Sequence, residues 1–166
     1  DITRTFPVNG KFSPDQAALY QVVLDAQYAA CAAVKPGNSS RDTLAAAIAE
    51  LTRGLCDLGI LRGELPTLIA EQACKKYFIH GLGHWLGLDV HDVGAYKVND
   101  IERAFEPGMV LTIEPDVLLP SSVTACNSAE VTVCNAAAVP AICICAAATA
   151  AAPPTPWAGC CCTCTA

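Results

Sequence analysis

Charge runs out at residue 116, and that break limits which part of the chain can encode a fold. After Asp116 the only charged side chain is Glu130, and Ala, Cys, Thr, Val and Pro fill most of the remainder. A stretch without polar–apolar alternation does not specify which face turns inward. Encoded structure is therefore expected in residues 1–115. Residues 116–166 read as a low-complexity Ala/Cys-rich tail, with the composition that GC-rich coding DNA yields in a wrong frame and not that of native coding sequence. Two functional readings compete for the tail. The "CCCTC" run could hold a soft metal. The uncharged run around "AICICAAATAAA" is nearly long enough to span a bilayer, but Asn135 and Pro140 interrupt it and no basic anchor follows.

The formal net charge is −6, with no basic patch or Lys/Arg run interleaved with aromatics. This excludes nucleic acid and anionic membrane surfaces as expected partners. Of eleven cysteines, eight lie after residue 125, while Cys31, Cys56 and Cys74 sit isolated among apolar neighbours. Those three read as free, hydrophobe-like thiols of a reducing compartment, so a cytoplasmic location is expected. The opening "DITRTFPV" has neither a starting Met nor the basic and apolar regions of a signal peptide. The chain is expected to be a piece of something longer.

The first 115 residues divide into elements. "DITRTFPV" alternates and is β-branched, a strand pattern. Asn9-Gly10 signals a turn. "SPDQ" makes a capping box with Ser13 as N-cap, Pro14 at the first helical position and Gln16 at the third. A helix is expected over 14–34, with Leu19, Val22, Val23, Ala26 and Ala30 on its apolar face. Lys35-Pro36-Gly37 stops it. A second helix is expected over 41–58, ended by Gly59, and a shorter one over 66–75. "GMVLTIEP", residues 108–115, reads as a strand with Glu114 at its end. A strand, then helices, then strands indicates an α+β fold.

All three histidines fall in one segment, "HGLGHWLGLDVHD", residues 80–92. Imidazoles bind divalent metals and titrate near neutrality. His80 and His84 are four apart, the spacing of a two-His zinc helix, but Gly81, Gly83 and Gly87 oppose a helix and the intervening Glu of that motif is absent. The bland alternative is a set of hydrogen-bonded structural histidines in a Gly-rich turn. Glycines that let backbone approach a ligand favour a site instead. Asp89 and Asp92 read as solvated charges or as groups orienting His91.

"HGLGHWLGLDVHDVGAY", "EPGMVLTIEP" and "DITRTFPVNGKFSPDQ" together resemble the pita-bread metallopeptidases, specifically the proline-specific aminopeptidases (aminopeptidase P, Xaa-Pro aminopeptidase). The resemblance covers residues 1–115. Trp85, the absence of a proline just before His80-Gly81, and the short step from "HDVGAY" to "EPGMV" favour that branch over prolidase. The resemblance implies an incomplete pita-bread catalytic domain and two divalent metal ions, usually Mn2+, held by two Asp, one His and two Glu. Asp1 then corresponds to an Asp ligand shared by both ions, His84 to the His ligand, and Glu114 to the first Glu ligand and the acceptor of the attacking water's proton. His80 and His91 correspond to histidines that bind substrate and the tetrahedral intermediate. The implied substrates are peptides with an N-terminal Xaa-Pro, and the parent protein is expected to be a homo-oligomer, as family members often are.

This sequence departs from the family pattern at three points. One Asp ligand would lie upstream of "DITRTF". The last Glu would lie in an Arg-Ile-Glu-type strand beyond "TIEP", where Glu130 has no basic neighbour to match. Asp116 stands where the family usually has Gly. The 166-residue chain alone is therefore expected to be inactive. Prolidase, cleaving only Xaa-Pro dipeptides, and a non-catalytic pita-bread binding module are the alternative functions.

Overall fold

A computed structural model describes residues 4–7 and 9–119, together with the backbone of 143–146. The first helix, α1 (Pro14–Ala32), starts where the capping box puts it. The Gln16 backbone N–H donates to Ser13 Oγ at 3.2 Å, and the Ser13 N–H donates to Gln16 Oε1 at 2.9 Å. It ends at Ala32, two residues earlier than expected. The second helix, α2 (Ser40–Asp57), has a cap that the sequence reading missed. Asp42 Oδ2 accepts from both the Ser39 backbone N–H and its hydroxyl, each at 2.7 Å. Gly59 follows the helix with a positive φ, as a terminating glycine should.

The third expected helix is split in two. α3 (Leu65–Ala70) is followed by a 3-10 turn at Ala73–Lys76, and Gln72 between them adopts the left-handed region at φ 53°. The expected strand at the start is not formed over residues 4–7. A strand pattern states a preference only, and tertiary context decides whether it is realised. The turn after it is present, with the Gly10 N–H bonded to the Pro7 carbonyl at 2.9 Å.

α1 and α2 pack on each other through Val23, Ala26 and Ala30 on one side and Ala47, Ile48, Leu51 and Leu55 on the other, all buried. Each such aliphatic side chain of Val or Leu size contributes about 1.5–3 kcal/mol of burial. β1 (Lys97–Val98) and β2 (Ile101–Glu102) form a short hairpin. Asn99 and Asp100 at its tip both take positive φ, the pattern of a type I′ turn.

β3 (Val110–Ile113) is the strand that positions the site. It is shorter than the expected 108–115. On one edge it pairs antiparallel with β4 (Cys143–Ala146), from Val110 opposite Ala146 to Ile113 opposite Cys143. The backbone of part of the uncharged tail thus enters a ladder. On the other edge lies the His-bearing segment. The Thr112 N–H donates to the His84 carbonyl at 2.9 Å, the Glu114 N–H to Leu82 at 2.6 Å and the Leu86 N–H to Val110 at 3.1 Å, with Trp85 bridged to Leu111. Buried Gln27 ties α1 to this strand: its side-chain amide donates to the Ile113 carbonyl at 3.1 Å, one residue before Glu114. Packing runs past Pro115. Pro115, Asp116 and Val117 are buried, and the Leu118 N–H donates to the Tyr77 carbonyl at 2.9 Å. Among the described residues no helix is long and apolar enough to cross a membrane.

Candidate active site

The ladder between β3 and residues 82–86 brings His84 against Glu114. His84 Nε2 lies 3.0 Å from Glu114 Oε1, with both side chains mostly covered. Gly83 makes this approach possible. A Cβ at that position would sit 2.0 Å from the Thr112 carbonyl oxygen, so any side chain would push the His segment off β3. Thr112 closes the pair from the strand side. Its Oγ1 accepts the His84 backbone N–H at 3.0 Å and takes a place that a sheet carbonyl would ordinarily fill. The threonine carried no site signal in the sequence; only the ladder register reveals its role.

The protonation pattern of His84 follows from its other nitrogen. Nδ1 is 2.9 Å from the Trp85 carbonyl oxygen, an acceptor only, so Nδ1 carries a proton. Glu114 Oε1 is buried and has no aligned hydrogen bond among the described residues, although Nε2 is within 3.0 Å. His84 Nε2 and Glu114 Oε1 are thus an imidazole nitrogen and a carboxylate oxygen held side by side. A divalent cation satisfies such a pair. The fit is that of part of a metal site. Among the described residues no three His, Cys, Asp or Glu side chains cluster, and Asp1, the third expected ligand, lies outside the described residues, as does Glu130.

His91 returns to the site by stacking. Its ring lies on His84 with centroids 3.9 Å apart and planes 16° from parallel. The loop between them is tightened at Gly87, where a Cβ would fall 1.8 Å from Asp92 Oδ2. Asp92 thus turns its carboxylate over the backbone of its own loop, and Asp89 is exposed; neither is seen to orient His91. Trp85 is buried, stacked on Tyr96 at 5.4 Å and edge-on to Phe105 at 6.1 Å. The Tyr96 hydroxyl accepts the Trp85 N–H at 3.2 Å. A cavity of about 280 Å3 adjoins His84, lined by Arg41, Thr43, Tyr96, Glu102 and Thr112 among others.

His80 lies apart from the stacked pair, nearly half-exposed. Its Nε2 is 3.1 Å from Asp116 Oδ2, whose side chain is almost wholly covered. Burial pushes the Asp116 carboxyl up from the usual carboxylate range, while His80 and Lys75 act in the opposite sense. Burial likewise lowers Lys75, whose ammonium donates to the His80 carbonyl at 3.0 Å and sits 3.9 Å above the Phe78 ring. The sequence reading treated Asp116 only as a departure from pattern; the structure makes it part of the neighbourhood of the histidines.

Comparison with known proteins agrees with this geometry. The profile of metallopeptidase family M24 matches residues 1–136. The Xaa-Pro aminopeptidase of Haemophilus influenzae is 54% identical over 119 residues and that of Escherichia coli 48%, each alignment covering 72% of this chain. The chain spans 27% of the length of these curated relatives. The solved structure of Pseudomonas aeruginosa aminopeptidase PepP superposes with a TM-score of 0.78 at 38% identity, covering 89% of this chain and 33% of that one. The described elements are thus part of an α+β pita-bread domain, as the motifs implied. The family implies divalent metal ions. A profile covering most of the chain, a shared fold and an imidazole–carboxylate pair held on one ladder lead to one conclusion: this chain belongs to metallopeptidase family M24.

Proposed function

We propose that this chain carries part of the active site of a metal-dependent aminopeptidase that removes the N-terminal residue from peptides with proline in second position. The cofactor in this reading is a pair of Mn2+ ions. The observation that carries it is the convergence of His84 Nε2 and Glu114 Oε1 at 3.0 Å, with Nδ1 of the same ring committed to the Trp85 carbonyl. These two atoms, with Asp1, would hold metal. A set rich in carboxylate oxygen with one imidazole suits manganese.

When bound, the metal supplies Lewis-acid polarisation of the scissile carbonyl and acidifies water at neutral pH. The protein's own residues do the rest. In this reading Glu114, partly covered and flanked by the buried Ile113 and Pro115, takes the proton of the attacking water. His91, stacked on His84, and His80, half-exposed, present imidazoles to a substrate carbonyl and its developing negative charge. In this reading the protein works in the cytoplasm, which the free thiols of Cys56 and Cys74 support.

The test is hydrolysis by the protein carrying this segment within a whole M24 domain, assayed with Mn2+ on an Xaa-Pro-Xaa tripeptide and an Xaa-Pro dipeptide. The tripeptide is expected to be cleaved. Cleavage of the dipeptide alone would make the protein a prolidase, and cleavage of neither would leave it a binding module.

A further inference from the structure

We propose that Asp116 is a positioning residue for His80, fixing the orientation of that imidazole. The inference rests on the functional reading above only for what His80 does; the contact itself stands on geometry. His84 faces Thr112 and Leu82 faces Glu114 across the ladder. Stepping two more residues along each segment sets His80 opposite Asp116. The same spacing places the two side chains near each other, while the next backbone bond, from the Leu118 N–H to the Tyr77 carbonyl, is shifted by one residue.

The partners hold the ring from three sides. Asp116 Oδ2 meets Nε2 at 3.1 Å. The Gly81 carbonyl lies 2.5 Å from Nδ1. Phe78 packs edge-on to the imidazole with centroids 5.4 Å apart. Where Asp116 is ionised it only accepts, so the contact calls for a proton on His80 Nε2. Asp116 is itself held: its side chain is buried, Lys75 faces it electrostatically, and its backbone lies between Pro115 and Val117, both buried. Its second oxygen, Oδ1, is buried without a hydrogen-bond partner among the described residues. A buried carboxylate that keeps one oxygen unsatisfied is costly. The His80 contact is the compensation visible for that cost.

The experiment is 15N–1H NMR of the imidazoles in the 166-residue chain, with His80→Gln to assign the His80 signals. The expected result is a protected Nε2–H for His80. In Asp116→Ala its exchange should accelerate by about tenfold or more, as loss of a charge-assisted bond requires. In Asp116→Asn, which keeps an acceptor oxygen, part of the protection should return. A merely structural role would alter protection of α1 and α2 amides together with His80, whereas a positioning role alters His80 alone. Unchanged Nε2–H exchange in Asp116→Ala overturns the proposal, and so does equal loss in Asp116→Asn and Asp116→Ala. Adding Mn2+ to the same samples reads the functional proposal separately. Broadening centred on His84 supports it, and its absence counts against the metal site while leaving the His80 result to decide the role of Asp116.

Discussion

His84 Nε2 and Glu114 Oε1 stand 3.0 Å apart, on two segments joined by the backbone bonds of Thr112 and Glu114 to the carbonyls of His84 and Leu82. The pair is built by a ladder, so its members should respond differently to mutation from the other two histidines. Within a complete M24 domain, His84→Ala should abolish peptidase activity and weaken Mn2+ binding by at least about tenfold. His80→Ala and His91→Ala should lower kcat with metal content near normal. Isothermal titration alongside steady-state kinetics measures both quantities. Equal metal loss in all three variants would contradict the assigned roles.

The 166-residue chain by itself should show no turnover of an Xaa-Pro peptide, even with added Mn2+. Among the described residues His84 and Glu114 converge as a pair, and no cluster of three ligands forms. Turnover that disappears in His84→Ala would show this expectation to be wrong.

Gly83→Ala tests the close approach that makes the site. The new Cβ would lie 2.0 Å from the Thr112 carbonyl oxygen, a backbone atom that cannot rotate away. A destabilisation of about 1–3 kcal/mol is expected from the forced separation, with Mn2+ affinity falling in parallel. Thermal unfolding and metal titration on the same variant are the measurements. An unchanged melting temperature would mean that the segment is not seated on β3 as described.

Asp42 supplies a pH prediction. Hydrogen bonds from the Ser39 hydroxyl and backbone hold its carboxyl below the ordinary value of 3.8. A carboxyl lowered on folding contributes stability above its unfolded pKa, and that contribution fades as pH falls through the lower folded value. The gap in melting temperature between the native chain and Asp42→Asn should thus be present at pH 7 and shrink below about pH 4. A gap that persists unchanged in acid would assign the effect to something other than the carboxylate.

Ser13→Ala should cost about 1 kcal/mol, since it removes the acceptor for the Gln16 N–H at the start of α1. Chemical denaturation would register this as a lower midpoint with an unchanged slope.

The sequence by itself determined whatever is local in the chain. Ser13, Pro14 and Gln16 set the start of α1 because a capping box is satisfied within four residues. Lys35-Pro36-Gly37 and Gly59 set helix ends for the same reason, and the apolar spacing of α1 named most of its buried face. The motifs that carry His84 and Glu114 were also legible, and the structure sets the two side chains 3.0 Å apart. Tertiary structure decided what depends on partners distant in sequence. Residues 4–7 did not become a strand, because a strand preference in the sequence does not by itself form a ladder. Gln27 became a buried tie to Ile113, Thr112 a support for His84, and Asp116 the partner of His80, because a ladder register unites residues that no local spacing connects. Hydrogen bonds across the ladder choose which side chains share a face, and that choice is made only when the two segments meet.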